Sequence, residues 1–302
     1  RKLPQQKPDF DALTAEDIWP DWFRNILHGQ FDEANSAALA QQQLAVPDLH
    51  LTAKDGDGAG LAERIGGTWL SGPTAACAAA IVTDLPGFDT GDWWVQDAAA
   101  ALPAQLLAVQ PGDSVVDLCA APGGKTLQLA SLGANVFAID RSKTRLQRVE
   151  ENLARTNLLA NVTLVASKGE AWTPPGPVDA VLVDAPCSAL GTLRRHPEGP
   201  WIKRPDEIAG YPNAQKRLLA AAVDMLKPDG RLVYCVCSPL QQEGAEVVEA
   251  IIAEHPVSRS PIQPQDVPGF EHTLTADGDL VTLPGGKFAH DAFFISRLVK
   301  HA

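Results

Sequence analysis

The stretch PGDSVVDLCAAPGGKT, residues 111–126, decides the fold. A short apolar run ends at Leu118, and a turn with Gly123 and Gly124 side by side follows before a helix-forming segment. Short apolar runs bounded by turn residues are typical of buried parallel strands. Adjacent glycines let the backbone come close to a ligand at the N-terminus of a helix. The stretch therefore predicts a strand, a ligand-binding turn and a helix in succession.

The same alternation continues along the chain. A helix is predicted from Ala98 to about Ala108, and strands alternate with helices after the glycine turn. The predicted strands are NVFAID (135–140), VTLVA (162–166), VDAVLVDAP (178–186) and RLVYCVC (231–237). One predicted helix follows the glycine turn and ends at about Leu132, and three more cover about 142–157, 205–226 and 242–254. KPDG (227–230) is predicted to end the helix over 205–226, with Gly230 as its C-cap. This pattern predicts an α/β fold with a doubly wound, mostly parallel, Rossmann-like sheet, and FFISRLV (293–299) predicts antiparallel edge strands.

Composition shifts divide the chain into three predicted parts. Residues 1–12 read as a polar linker, and residues 13–84 as a small N-terminal α/β subdomain that begins with helix-forming sequence. Residues 85–302 contain the regular alternation and form the predicted catalytic domain. A chain of 302 residues has room for such a division.

The charge balance limits the classes of function. The formal net charge of −12 argues against a simple nucleic-acid-binding glove. Residues 187–217 depart from this balance, with six basic and three acidic side chains, so an anionic polymer is expected to meet the protein there. No apolar run is long enough to span a membrane, and five cysteines without a disulfide-like framework favour a reducing cytoplasm. Cys235 and Cys237 form C-x-C without two further ligands, so no metal site is expected.

Two rival interpretations of the glycine turn can be tested by spacing. The phosphate-binding pattern G-x-x-x-x-G-K-[ST] requires a glycine where this chain has Cys119, and G-x-G-x-x-G is absent. Asp140 ends the next predicted strand, where a carboxylate can accept both hydroxyls of a ribose. A ribose site without a pyrophosphate cradle indicates a nucleoside cofactor such as S-adenosylmethionine. An ordinary turn with a solvated Asp140 is the alternative.

Two cysteines follow apolar runs in the second half of the chain. Cys187 lies in VDAVLVDAPCSALG and Cys237 in GRLVYCVCSPLQQE. If both runs belong to one parallel sheet, the two thiols meet at its carboxyl edge, where open α/β sheets bind ligands. A paired thiol site in such a fold suggests covalent chemistry.

These motifs together resemble the Fmu/Sun family of RNA cytosine-C5 methyltransferases. The resemblance is carried by DLCAAPGGKT (117–126), Asp140, DAPCSALGTLRRHP (184–197) and YCVCSP (234–239), and covers about residues 85–254, more weakly 13–84. It implies a class I methyltransferase that uses S-adenosylmethionine and modifies RNA, with 16S rRNA as the expected substrate. Such bacterial enzymes carry a NusB-like helical domain ahead of the linker, which this sequence is expected to lack. The chain is expected to act as a monomer.

The resemblance also assigns site residues. Asp140 takes the ribose hydroxyls, Arg145 supports that loop, and Asp184 belongs to both the cofactor site and the catalytic group. The methionine and ribose side of the cofactor is assigned to Cys119, Ala120, Ala121, Pro122, Gly123, Gly124 and Lys125. The family usually has an adenine-binding Asp after the third strand, but this chain has Lys168 or a neighbour there, with Glu170 nearby.

The implied chemistry explains why two thiols are needed. Carbon 5 of cytosine is a poor nucleophile, and a thiolate that adds to carbon 6 turns the ring into an enamine that can attack a methyl donor. The resemblance assigns this attack to Cys237, activated by a helix N-terminus or by Lys125, and the release step to Cys187. Asp184, protonated or sharing a proton, is expected to donate to the ring. DNA cytosine methyltransferases attack with the cysteine of the Pro-Cys string, so the opposite assignment stays open.

The basic loop after Cys187 is the predicted RNA contact. Its candidate residues are Arg194, Arg195, His196, Lys203 and Arg204. The target base must swing out of its stack to reach the thiols. Two other functions compete with this one: a non-catalytic ribosome-assembly factor that keeps the fold and binds RNA, and a DNA cytosine methyltransferase, for which no Glu-Asn-Val string or target-recognition insert is visible.

Overall fold

The structure, a computed structural model, describes residues 14–301. The predicted linker over 1–12 lies outside the described residues. A 3-10 turn at Ala15–Ile18 is followed by helices α1 (Asp21–Gln30) and α2 (Glu33–Leu44). The break between the two helices arises where the Asp32 side chain accepts a hydrogen bond from Asn35 N and caps α2. Their apolar faces pack against the loop that carries Leu190 and Leu193, so the N-terminal helices support the region after Cys187.

A small antiparallel sheet follows these helices. Its strands have the order β2-β3-β1-β4, and helix α3 packs against it. The elements are β1 (Leu49–Ala53), α3 (Gly58–Ile65), β2 (Thr68–Ser71), β3 (Thr74–Cys77) and β4 (Trp93–Val95). Strand β4 pairs with β1, so the small sheet extends beyond residue 84, where the sequence places the domain boundary. The reason is that the connector after residue 85 returns a strand with buried Trp93 and Trp94 to the small sheet.

The large sheet has eight strands and confirms the predicted doubly wound, mostly parallel architecture. The strands are β5 (Ser114–Leu118), β6 (Asn135–Asp140), β7 (Val162–Ala166), β8 (Val178–Asp184), β9 (Leu226–Val236), β10 (Val257–Arg259), β11 (Leu280–Val281) and β12 (Phe294–Lys300). Their order is β10-β12-β9-β8-β5-β6-β7, and β11 pairs with β12. Strands β7, β6, β5, β8 and β9 are parallel, whereas β12 is antiparallel to β9 and to β10. The chain therefore leaves β5 in both directions, which creates a topological switch point at its carboxyl end.

Helices cover both faces of this sheet. They are α4 (Ala98–Leu106), α5 (Gly124–Ser131), α6 (Lys143–Arg155), α9 (Tyr211–Met225) and α10 (Ala245–Glu254), and two short helices, α7 (Gly199–Ile202) and α8 (Pro205–Ile208), lie in the segment between β8 and α9. Alternate strand residues enter two different cores, since Leu182 packs on one face while Val181 and Val183 pack on the other. Burial on both faces explains why the strands read as continuous apolar runs.

One predicted helix and its cap are wrong. The segment 205–226 forms two helices, α8 and α9, and KPDG belongs to strand β9 rather than to a helix C-terminus. Helix α9 ends at Met225 because Leu226 is already extended. The ammonium of Lys300 on β12 donates hydrogen bonds to the carbonyl oxygens of Val223 and Leu226. These carbonyls at the end of α9 therefore have donors without a C-cap glycine. Within residues 14–301 no helix is long and apolar enough to cross a membrane.

Candidate active site

A cavity of about 700 Å³ lies at the carboxyl ends of the parallel strands. The glycine turn after β5, Asp140 at the end of β6 and the loops after β8 and β9 all contribute to its wall. Both cysteines singled out by the sequence, Cys187 and Cys237, line it. The fold thus brings the predicted cofactor loop and the predicted thiols to one cavity at the switch point, where open α/β sheets bind ligands.

The glycine turn needs its glycine for backbone reasons. Gly123 has φ of 109°, a conformation that side chains disfavour, and a Cβ there would lie 3.0 Å from Val149 of α6. The turn is tied to the end of β6, because Ala121 N donates to Asp140 Oδ2 at 3.2 Å and the Arg145 guanidinium donates to the Ala121 carbonyl oxygen. These contacts hold the turn against the cavity before any ligand binds.

Asp140 is almost fully buried, with 2% of its side chain exposed. Its Oδ1 accepts from Ser142 N at 2.8 Å, and its Oδ2 lies 3.5 Å from Arg145 Nη1 in addition to the bond from Ala121. Each carboxylate oxygen has two lone pairs, so acceptor capacity remains on the cavity side. The alternative of a solvated aspartate does not describe this environment.

Lys125 and Asp184 form an ion pair inside the cavity wall. Lys125 Nζ lies 2.8 Å from Asp184 Oδ2 and sits over the ring of Phe293. Burial opposes the charge of Lys125, but the neighbouring Asp184, with Cys235 and Cys237 when ionised, outweighs it, so the pKa of the ammonium is raised. Lys125 therefore stays protonated and directs its charge at Asp184 as well as towards Cys237.

A third carboxyl, Asp117, is hydrogen-bonded to Thr126 just after the glycine turn and was not among the site residues predicted from the sequence. Its Oδ2 accepts a hydrogen bond from Thr126 Oγ1 at 2.5 Å, while its buried Oδ1 has no hydrogen-bond partner. Burial raises the pKa of Asp117 to about 7. Its position at the end of an apolar run, DLCAAPGGKT, was the available signal, since charged residues are seldom fully buried without a partner.

The two thiols meet, because the sulfur atoms of Cys187 and Cys237 are 3.4 Å apart. The contact with Cys237, then burial, raises the pKa of the Cys187 thiol well above its ordinary value. Cys235 lies on β9, two residues before Cys237, and is fully buried. Burial, and then the nearby Asp184, raise the pKa of the Cys235 thiol. Helix α10 begins only at Ala245, so Cys237 does not lie at a helix N-terminus as the sequence predicts.

The loop after Cys187 is pressed against the end of β9. Gly191 N donates to the Cys237 carbonyl oxygen at 2.9 Å, and Ala292 N donates to the Gly191 carbonyl oxygen at 2.8 Å. A Cβ on Gly191 would lie 1.8 Å from the Ala292 carbonyl oxygen, a distance at which atoms overlap. Glycine is therefore required at this close approach.

Arg194, a predicted RNA contact, is buried and paired with carboxylates of the protein itself. Its side chain is 3% exposed and its Nη2 lies 2.7 Å from Asp97 Oδ2, with Asp291 Oδ1 at 3.8 Å from its Nε. Burial alone would raise the pKa of Asp97, but His50 and Arg194 outweigh it and hold that pKa well below its usual range. Arg194 is committed to a buried ion-pair network that joins the small sheet to the loop after Cys187.

The other predicted RNA contacts are accessible to different degrees. Arg195 lines the cavity, pairs with Asp291 and keeps 45% of its side chain exposed. His196 is 60% exposed and lies 3.4 Å from Glu198 Oε1. Lys203 contacts Tyr211, and Arg204 is 67% exposed beside Asp206 and Glu207. Of these four residues Arg195 lines the cavity and Lys203 contacts the lining residue Tyr211, whereas His196 and Arg204 are exposed on the same segment outside the lining.

The adenine side of the predicted cofactor site departs from the family pattern. After β7 the cavity wall is built from Ser167, Lys168, Gly169 and Glu170. Arg217 of α9, one of the six basic residues of the predicted anion-binding segment 187–217, also lines the cavity, although it was not among the candidate RNA contacts. Within residues 14–301 there is no group of three or more His, Cys, Asp or Glu side chains that could hold a metal ion.

Comparison with known sequences places the chain in a family. The family model described as "16S rRNA methyltransferase RsmB/F" matches residues 104–299. The chain belongs to the RsmB/F family. Ribosomal RNA small subunit methyltransferase B of Vibrio cholerae is 38% identical over 261 residues, which cover 83% of this chain and 56% of that protein. The chain spans about half the length of the curated relatives it matches.

Solved structures confirm the fold of this RsmB/F chain. The crystal structure of PH0851 superposes with a TM-score of 0.84 at 25% identity and covers 99% of this chain and 70% of that one. NSun6 from Pyrococcus horikoshii, solved with SFG, superposes with a TM-score of 0.65 at 28% identity, over 74% of this chain and 57% of that one. The confirmed Rossmann-like methyltransferase architecture agrees with the strand order described above.

Proposed function

We propose that this chain carries the methyl-transfer centre of an RsmB/F enzyme that methylates carbon 5 of a cytosine in 16S rRNA through a covalent cysteine–cytosine intermediate. The observation that carries the proposal is the 3.4 Å contact between the sulfurs of Cys187 and Cys237 in the cavity that the glycine turn also lines. Family membership supports it. We assign the reaction to the predicted catalytic domain, residues 85–302, whose first strand β4 pairs with the small sheet, and propose that the chain acts as a monomer in the cytoplasm, in keeping with its five free cysteines.

The cavity residues fit S-adenosylmethionine as the cofactor. We assign its methionine and ribose side to residues 119–125, with Asp140 as ribose acceptor, Arg145 as its support and Asp184 near the reacting centre. The partnerless Oδ1 of Asp117 is a further buried acceptor on the same wall. Residues 167–170 take the adenine side in place of the usual aspartate. When bound, the cofactor supplies an electrophilic methyl group.

Cys237 is the proposed nucleophile. Its thiolate forms a bond to carbon 6 of cytosine, and the displaced electron pair moves towards N3 and the ring oxygen. We assign proton donation to the ring there to Asp184, which shares a proton with the Lys125 ammonium across their 2.8 Å contact. After carbon 5 is methylated, the proton on carbon 5 leaves to water and the electrons of that C–H bond restore the C5=C6 double bond. The S–C6 bond breaks at the same time, and Cys237 departs as a thiolate.

Cys187 is assigned to the release step. Its raised pKa means that Cys187 stays a protonated thiol beside Cys237, which favours Cys237 as the attacking sulfur. We propose that this thiol assists proton movement when Cys237 departs. RNA contacts are assigned to the accessible residues Arg195, His196, Lys203 and Arg204 of the segment after Cys187, of which Arg195 lines the cavity that a flipped base would enter.

The test uses the protein with a 16S rRNA transcript and tritiated S-adenosylmethionine. We expect tritium transfer by the wild type, no turnover by Cys237→Ala, and for Cys187→Ala an enzyme–RNA adduct that survives a denaturing gel. An adduct with Cys237→Ala instead would reverse the two roles. Calorimetry separates the competing function, because a non-catalytic assembly factor would bind the transcript without binding S-adenosylmethionine.

A further inference from the structure

A buried carboxylate connects the two loops that carry the thiols. Glu243 lies in the 3-10 turn Gln241–Glu243 just before α10 and is fully buried. Its Oε1 accepts from Ser188 N at 2.7 Å, and its Oε2 accepts from the hydroxyls of Ser188 at 2.5 Å and Ser238 at 2.6 Å. Each of these serines directly follows one of the two cysteines. One side chain therefore holds both cysteine loops.

Burying the carboxyl group of Glu243 costs solvation free energy that its hydrogen bonds must offset. Among the ion pairs of residues 14–301 none involves Glu243, so three neutral donors alone compensate its burial. Burying a carboxyl group without a counter-charge is costly, and removing it would leave three buried donors without this acceptor. The turn itself is fixed independently, because Tyr234 OH donates to the Glu243 backbone oxygen at 2.6 Å. The side chain is thus not needed to shape its own turn.

The sheet alone does not fix the distance between the sulfurs. In the parallel register of β8 and β9 the last pair is Asp184 with Cys235. Cys187 and Cys237 lie beyond this pair, in the loops that follow the two strands. Bonds from the two serines to Glu243 lie one residue beyond each cysteine. We propose that Glu243 is a positioning residue that holds Cys187 and Cys237 in contact by binding Ser188 and Ser238. The consequence for methyl transfer rests on the function proposed above, but the effect on the thiols does not.

The first test measures the proximity of the sulfurs without methyl transfer. Hydrogen peroxide oxidises the two thiols to a disulfide: the S–S bond forms, two protons and two electrons leave, and the peroxide is reduced to two waters. Peptide mapping follows the Cys187–Cys237 crosslink over time. We expect Glu243→Ala to form it about tenfold more slowly than the wild type, because the rate depends on how well the reacting atoms are held together.

Matched variants separate positioning from loss of structure. Glu243→Gln keeps an oxygen for Ser188 N and offers an amide N–H to the two hydroxyls, so it should crosslink at the wild-type rate. Glu246→Ala removes an exposed carboxylate from α10 and should also crosslink normally. If Glu243→Ala does not fold, Ser238→Ala replaces it, since Ser188 still satisfies the carboxylate while one loop is freed. We expect intermediate slowing from this variant.

The second test measures turnover with the 16S rRNA transcript. We expect Glu243→Ala to lower kcat by about 100-fold, as misplacement by about 1 Å can do, with KM for transcript and cofactor unchanged within about threefold. Glu243→Gln should restore kcat. A folded Glu243→Ala or Ser238→Ala protein that crosslinks at the wild-type rate would overturn the positioning role. A wild type that crosslinks as expected yet transfers no methyl group would overturn the function while leaving the positioning role intact.

Discussion

Asp117 gives a stability prediction whose size follows from the structure. The carboxyl is fully buried, and its pKa is raised from 3.8 to about 7, with burial as the main cause. Between these two values the folded chain holds a proton that the unfolded chain has released, so stability is fully present below the lower value and falls as pH rises through the higher one. At about 1.36 kcal/mol for each tenfold change in acidity, the total loss is on the order of 4 kcal/mol.

The substitution Asp117→Asn removes this titration and keeps the shape. The amide oxygen can still accept the Thr126 hydroxyl, and the NH2 group occupies the place of the partnerless Oδ1. The new NH2 adds a cost that does not depend on pH, so the informative quantity is the difference between the two proteins at two pH values. Linkage predicts that the variant gains about 2.5 kcal/mol of unfolding free energy relative to the wild type between pH 5 and pH 8.

Urea unfolding followed by tryptophan fluorescence, at constant ionic strength, measures this difference. Asp224→Asn controls for the loss of one carboxylate, because Asp224 is exposed on α9. Parallel pH profiles for wild type and Asp117→Asn would refute the reasoning, since they would mean that Asp117 is ionised in the folded chain over this whole range. Parallel profiles include the case in which Asp117→Asn is less stable than the wild type by the same amount at each pH.

Two further substitutions test the surroundings of the thiols. Arg194→Met should lower the unfolding free energy by about 3–5 kcal/mol, because it breaks the buried Arg194–Asp97 ion pair, whereas exposed Arg204→Met should change it by less than about 0.5 kcal/mol; equal effects in urea titrations would contradict the burial argument. Gly191→Ala should destabilise by about 1–3 kcal/mol and lower methyl transfer, because its Cβ would overlap a carbonyl oxygen 1.8 Å away, whereas Gly176→Ala meets nothing within 4 Å. Wild-type stability and tritium transfer for Gly191→Ala would show that the two loops can separate without consequence.

The parallel strands were predictable because their physics is local. Each is buried on both faces, so each appears in the sequence as an apolar run with a polar or turn residue at its end. The meeting of Cys187 and Cys237 was predictable for the same reason, since parallel neighbours end at one edge. The true end of α9 was not, because the groups that satisfy its carbonyls come from Lys300, 77 residues from Val223 along the chain.

Arg194 shows that the number of basic residues in a segment does not predict which of them remain exposed. A cluster of basic residues predicts an anionic partner, but it does not say whether that partner is a ligand or another part of the chain. The acceptor of Arg194 is Asp97, which lies 97 residues earlier and caps the N-terminus of α4. Arg195, its immediate neighbour, keeps nearly half of its side chain in solvent. Local composition therefore locates a basic loop, whereas tertiary pairing decides which of its members remain available to RNA.

The arrangement around the thiols separates two levels of precision. Strand pairing brings Asp184 opposite Cys235 and so places the two cysteine loops side by side, a consequence of sheet geometry alone. Nucleophilic chemistry needs sulfur positions defined to well under an ångström, and loops beyond the last pair of a ladder do not supply that by themselves. The Glu243 carboxylate binds both loops one residue past the thiols, where a small displacement would be felt most. An apolar residue there would leave Ser188 N and both serine hydroxyls without this acceptor, so one side chain satisfies these donors and sets the spacing of the two loops.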